Sequence, residues 1–311
     1  MIGNARGGRN RAIVAAAFLL AGSGIGNAAD LASPSPVHLT LGYSAQIFID
    51  VEPEEARTAM KVLAEQILRR RFPNGTSETL ILNDIASLEK AFLEKRIDLA
   101  GIHSDQYVRL RDHAPIQPVF VSTNGLSPYH QVVLLVRRDA GIRSLADLRD
   151  KRLTLSKDQA RSVHLLWLET LLMKAGIRSS EEFFSAVKQV MKPSQAILPV
   201  FFQQADACLT TQQSFDVARE LNPQVGRDLV VLAQSSYLAG GVVVFRTDYD
   251  PAAKAKIIEA LGALHEDLQG NQILKLFRMH RLLPWRPEYV ESVEALLKEH
   301  ESLKKGLERR K

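Results

Sequence analysis

The sequence predicts an α/β protein in which helices cover mostly parallel sheets. Three observations predict it: strand-like and helix-like segments alternate along nearly the whole chain, the strands are short apolar runs, and Gly, Pro or capping residues punctuate the joins. His38–Ser44 alternates apolar and polar residues and reads as the first strand; Glu54–Phe72 carries Ala56, Met60, Leu63 and Ile67 at helical spacing between Pro53 and Pro73. Strand Thr79–Leu82, helix Ile85–Arg96, strand Ile97–Ile102 and a helix from Ser104 through Arg111 follow. Ile116–Ser122 and Gln131–Arg137 are strands, and Ser144 with Asp147 starts a short helix through Arg149. Strand Arg152–Ser156 leads to a helix from about Ser162 to Ala175, stopped by Gly176. Strand Ala186–Met191, helix Gln195–Gln204, strand Ala205–Leu209 and a helix around Ser214–Leu221 keep the rhythm; Pro199 belongs in a first helical turn or marks a kink. Strands Leu229–Ala233 and Val242–Arg246, then helices Ala252–Leu268, Asn271–Met279 and Glu288–Leu307, complete the chain.

The N-terminus reads as an export signal. Met1–Arg11 is polar with three arginines, Ala12–Leu20 is an unbroken apolar run, and small residues follow to Ala29. Cleavage after Ala28 makes residues 1–28 a signal peptide and points to the periplasm, and the run is short for a membrane span. Loss of Arg6, Arg9 and Arg11 lowers the formal charge from +5 to +2, which gives no case for a nucleic-acid partner. The single cysteine, Cys208, has no partner within the chain and suits a buried small apolar position. The 46% hydrophobic and 24% charged composition excludes collagen-like and disordered classes. No Walker loop, dinucleotide glycine fingerprint, nucleophile elbow or His-Glu-x-x-His motif is present, so neither an enzyme nor a cofactor or metal is expected.

Arg96-Ile-Asp-Leu-Ala-Gly-Ile102 followed by Ser104-Asp-Gln-Tyr107 resembles a stretch of the phosphate/phosphonate-type periplasmic binding proteins of ABC importers. Tyr129-His-Gln-Val-Val-Leu-Leu-Val-Arg-Arg-Asp-Ala-Gly-Ile-Arg-Ser-Leu-Ala-Asp-Leu148 resembles that family's crossover motif almost residue by residue. Lys151-Arg-Leu-Thr-Leu155, Ala205-Asp-Ala-Cys-Leu209 and Asp228-Leu-Val-Val-Leu232 are similar to three further strands. The resemblance implies a monomeric, two-lobe type II binding protein: residues 37–138 plus 239–311 as lobe I and 139–238 as lobe II. The chain would cross near Val136–Gly141 and return near Ser235–Gly241, with Gly240 and Gly241 serving either as a hinge or as a plain turn before a strand. It also implies capture of a small, anionic solute for an ABC permease; a periplasmic subunit reporting ligand to a membrane sensor is the alternative.

Ligands of such sheets sit beyond the carboxyl ends of the strands, near helix N-termini. The candidates there are Tyr43, Ser104, Tyr107, Tyr129, Gln159, Arg161, Ser162, Ser194, Gln195, Thr210 and Thr211. Bland roles remain open for each: the hydroxyls suit N-caps, Tyr107 suits a helix core, and His103 suits a satisfied structural position. The segment around Arg161 departs from the family's hydroxyl-rich phosphonate loop, and Pro193-Ser194-Gln195 lacks the family's histidine. Arg161 offers a fork suited to carboxylate, sulfate or phosphate, and a solvated helix-start arginine is its alternative. Intact-mass analysis of exported protein should give a chain beginning at Ala29, and a mature chain that still begins at Met1 would contradict the export reading.

Overall fold

The structure, a computed structural model, describes residues 37–44, 53–156, 163–277 and 279–309. The first part of the chain runs β1 (His38–Ser44), α1 (Pro53–Arg71), β2 (Thr76–Leu82), α2 (Ile85–Leu93), β3 (Leu99–His103), α3 (Ser104–Leu110), β4 (Ile116–Thr123), β5 (Tyr129–His130) and β6 (Val132–Arg137). It continues through β7 (Arg152–Ser156), α4 (Val163–Lys174), α5 (Ser180–Phe183), β8 (Ala186–Val190), α6 (Pro193–Phe201), β9 (Ala207–Thr211), α7 (Gln212–Leu221), α8 (Pro223–Asp228) and β10 (Leu229–Gln234). β11 (Leu238–Ala239), β12 (Gly241–Arg246), α9 (Pro251–Gly262), α10 (Leu268–Leu276), β13 (Arg281–Pro284) and α11 (Glu291–Glu308) complete it.

Two sheets result, ordered β13-β4-β12-β3-β1-β2 and β10-β6-β9-β7-β8. In the first, β1 to β4 run one way and β12 and β13 the other; in the second, β6 alone opposes its neighbours. The expected α/β class is therefore observed. The local chemistry follows the sequence closely. Met60, Leu63, Ala64, Ile67 and Leu68 put one stripe of α1 into the first core. Gly176, at φ 77°, follows α4 where an L side chain would be strained. Asp147 Oδ2 accepts from the Arg143 and Ser144 amides at 3.0 and 2.9 Å, although the segment it caps is a 3-10 turn, Ala146–Leu148. Pro193 sits in the first turn of α6, whereas Pro199 lies inside it. Cys208 is buried in β9, and burial pushes its thiol upward, as expected of an inert apolar position.

The crossing point corrects the sequence reading. β6 bonds to β9 and β10 in the second sheet, so the chain leaves the first sheet at β5 and not near Val136–Gly141. β5 and β11 pair antiparallel, Leu238 with His130 and Ala239 with Tyr129, as a two-stranded ribbon between the sheets. The C-terminal helix is a second correction to the expected lobe I of 239–311. Val293, Leu296 and Leu297 of α11 join the core of the second sheet. On its other side Glu294 pairs with Arg111, next to α3, at 2.9 Å, so α11 is bonded to both halves. Gly240 and Gly241 have no left-handed backbone. A Cβ on Gly241 would meet Ser122 Oγ at 2.8 Å, so its constraint is close approach.

The same device sets the parallel register in both sheets. Asp98, just before β3, accepts from the Thr40 amide of β1 at 2.8 Å and from Arg246 at 2.9 Å. Asp206, just before β9, accepts from the Arg152 amide of β7 at 2.8 Å and from the Arg152 guanidinium at 2.9 Å. The Asp98–Arg246 pair is nearly buried, with side chains 8% and 12% exposed. Arg246 also pairs with Asp248 at 2.7 Å, so loss of Asp98 leaves it one partner and costs less than a fully stranded charge, for which the loss is about 3–5 kcal/mol. Asp98→Ala should lower unfolding free energy by about 2 kcal/mol in urea titration, and the more exposed Asp206→Ala by less.

Candidate functional site

The carboxyl ends of β1, β3 and β4 open beside the ribbon, and a cavity of about 280 Å³ lies there. Its polar wall is built by His103, Ser104 and Asp105 at the β3–α3 junction, Ser122 to Asn124 at the end of β4, Tyr129 and His130 of β5, and His164 in the first turn of α4. Both sheets thus contribute, since α4 packs on the second core through Trp167, Leu168 and Leu172.

Three imidazoles converge. The rings of His130 and His164 lie 4.7 Å apart, tilted by 40°. Burial holds the His130 ring down to about 4, with the charge of His103 adding to the effect. Burial likewise holds His164 well below its ordinary value, with His130 and then His103 contributing. His103 Nε2, His130 Nε2 and Asp105 Oδ1 are buried without a hydrogen-bond partner among the described residues. Burial raises Asp105, and the charges of His103 and Arg109 oppose that rise. Among the described residues no group of His, Cys, Asp and Glu has a metal-binding arrangement. The wall is thus a set of desolvated donors and acceptors aimed at shared space, an arrangement that costs stability unless a polar partner enters it.

The sequence candidates divide by placement. Tyr43 lines the cavity, stacked on Phe277 with centroids 6.2 Å apart, and burial raises its hydroxyl strongly. Ser104 lines it too, but its hydroxyl donates to the Ala239 carbonyl at 2.7 Å and its amide to Gly240 at 2.8 Å, which ties α3 to the returning crossover. Tyr129 is part-buried at the mouth, edge-on to Tyr289. Gly240 and Gly241 form part of the wall. Tyr107 instead packs in a core against Trp285, with centroids 5.0 Å apart. Thr211 caps α7 by accepting from the Ser214 amide, and Thr210 is buried in β9 opposite Val133. Gln195 folds back on the Lys192 amide at 3.2 Å, and Ser194 is exposed on the first turn of α6. None of these last five lines the cavity. Gln159, Arg161 and Ser162 lie outside the described residues.

The convergence of three histidines is what sequence reasoning missed. His103 reads as a satisfied structural residue, yet its Nε2 is an orphan in the wall. The available signal was positional: His103 ends β3, His130 ends β5 and His164 lies one residue into α4, each at the end of its element that faces the cleft.

Neutral buried histidines make stability depend on pH. The unfolded chain takes up a proton below about pH 6.5, whereas folded His130 resists protonation down to about 4. The penalty is therefore absent above pH 6.5 and grows as pH falls toward 4, reaching roughly 3 kcal/mol for His130 alone. The titratable groups facing it are His103 and His164, and Asp105, which interacts with His103 and is raised by burial, takes up its own proton on the way down. Urea titrations between pH 7.5 and 4.5 should show falling stability, and His130→Gln should flatten the slope.

Comparison with known proteins now places this architecture. Residues 47–289 match the family described as the periplasmic substrate-binding protein of phosphonate ABC transporters. A Xanthomonas citri protein solved with ATP aligns at TM-score 0.59 and 19% identity, over 88% of this chain and 97% of that one. A binding-protein component of an ABC phosphonate transporter from Pseudomonas aeruginosa aligns at 0.58 and 12%, over 88% and 95%. PhnD1 from Prochlorococcus marinus, in complex with methylphosphonate, aligns at 0.58 and 15%, over 85% and 98%. At these identities the structural likeness speaks for the fold, that of two-lobe type II periplasmic binding proteins. No curated protein matches the chain in sequence. The family match spans well over half of the 311 residues, and on that ground the chain belongs to the phosphonate-type periplasmic substrate-binding proteins of ABC transporters, a family of solute binders and not of enzymes.

Proposed function

We propose that the protein is exported to the periplasm, takes up a small organic anion of phosphonate or sulfonate type in the cleft beside its crossover ribbon, and presents it to an ABC permease. The observation that carries this reading is the trio of imidazoles, which are contributed by α4, by the ribbon and by the β3–α3 junction and so reach the same space from both sheets. Burial disfavours the charged form of these rings, so an imidazolium forms there only with a partner that offsets the lost hydration. An anion placed beside it supplies the missing charge, raises the affinity of the ring for a proton, and receives a charge-assisted hydrogen bond in return. Arg161, three residues before His164 in the chain, and Gln159 and Ser162 beside it are the residues we assign to the same head group from the second sheet. Gly240 and Gly241, next to the ribbon, are our proposed pivot, because a two-stranded connection between two separately cored halves is where bending breaks the fewest contacts.

Calorimetric titration with alkylphosphonates and alkylsulfonates tests the reading. Affinity should rise as pH falls from 7.5 to 6, with net proton uptake seen as a dependence of the heat on the buffer used. Arg161→Ala and His130→Gln should each weaken binding about tenfold to a hundredfold, the loss of one charge-assisted hydrogen bond in a site that closure dries. Equal affinities in wild type and both variants, or selective uptake of cations, would refute it.

A further inference from the structure

Only part of the cavity is polar. Beyond Tyr43 it continues into the helical layer of the first sheet, where its walls are Leu261 of α9, Leu264, Ile273 and Leu274 around α10, Phe277 and Met279. The four aliphatic residues from Leu261 to Leu274 belong to the buried core of that sheet, and Phe277 and Met279 pack against it. The side chains at this end are aliphatic, aromatic or thioether, and Tyr43 stands beside them against Phe277. Protein interiors are close-packed and seldom keep an apolar space of this kind, because each missing contact costs stability. An apolar cavity of about 150 Å³ accommodates benzene. A space of about 280 Å³ is large enough for a charged head group together with a chain of several carbons.

We propose that the solute is an amphiphilic anion, with its head group at His103, His130 and His164 and an apolar tail of roughly six carbons lying among Leu261, Ile273, Leu274 and Met279. This rests on the anion reading above and narrows it to a chemical class: unbranched alkyl or arylalkyl chains ending in a phosphonate, sulfonate or similar group. A bare oxyanion or a one-carbon phosphonate satisfies the imidazoles and leaves the apolar end empty. A chain that extends past Tyr43 removes its own surface from water and fills the space in one step.

The test is a titration series of methyl-, propyl-, butyl- and hexylphosphonate on the wild-type mature protein, repeated on Ile273→Trp, which fills the apolar end. Wild-type affinity should rise about fourfold per methylene up to the hexyl chain, the equivalent of about 0.8 kcal/mol at 1.4 kcal/mol per decade, with an increasingly negative heat-capacity change. Ile273→Trp should lose hexylphosphonate binding by about tenfold or more and keep methylphosphonate within about twofold. An affinity that is flat or falls with chain length in the wild-type protein overturns the tail site and leaves the anion reading intact, and that arm needs no variant to fold. If no member of the series binds, both fall together.

Discussion

A carboxylate at the foot of each sheet sets what happens at its top. Asp98 and Asp206 each stand immediately before a central strand, and each ties the parallel neighbour to that strand. The bonds lock Thr40 beside Asp98 and Arg152 beside Asp206, so Leu41 aligns with Leu99 and Leu153 with Ala207. A slip of one residue along either pair would turn every side chain to the opposite face. It would also carry His103, at the far end of β3, out of the cavity wall. The clamp lies at the opposite end of β3 from the imidazoles, yet their meeting depends on it.

Between the sheets the connections are few. The ribbon of β5 and β11 contributes two paired residues per strand. Ser104 clasps its returning arm through side chain and backbone together. α11 then crosses on the outside: its apolar stripe is sealed into the second core, against which Val108 of α3 also packs, and two ion pairs are added, Arg111–Glu294 at 2.9 Å and Arg109–Glu301 at 3.6 Å.

The order of elements was legible because each strand and helix carries its own period, caps and breakers; β1 and β7 coincide with their expected bounds, and Gly176 stops α4 where its chemistry requires. Partnership was not legible. Val132 to Val136 are all fully buried, and an unbroken apolar run of this kind fits the centre of either sheet, so periodicity could not tell that β6 belongs to the second. Two-residue strands such as β5 and β11 carry no period at all. In the site, hydroxyl residues at helix starts drew attention, and Thr211 proves to spend its oxygen on the Ser214 amide. The histidines were not read as a set because a lone histidine beside an apolar strand has no sequence signature; their meaning comes from three of them meeting across 103–164, a fact of topology alone.

That convergence also explains why the site combines neutral buried imidazoles with a carboxylate. A permanently charged pocket in this position would repel its own halves or pay a desolvation cost whether or not a solute were present. His130 and His164 avoid the cost by staying neutral when the cleft is empty, and Asp105 lowers it because burial favours its protonated form. On the proposed reading, positive charge would arise where an anion arrives to stabilise it. On the same reading, the adjoining apolar compartment would reward a ligand that carries both a charged head and an apolar tail over one that carries either alone.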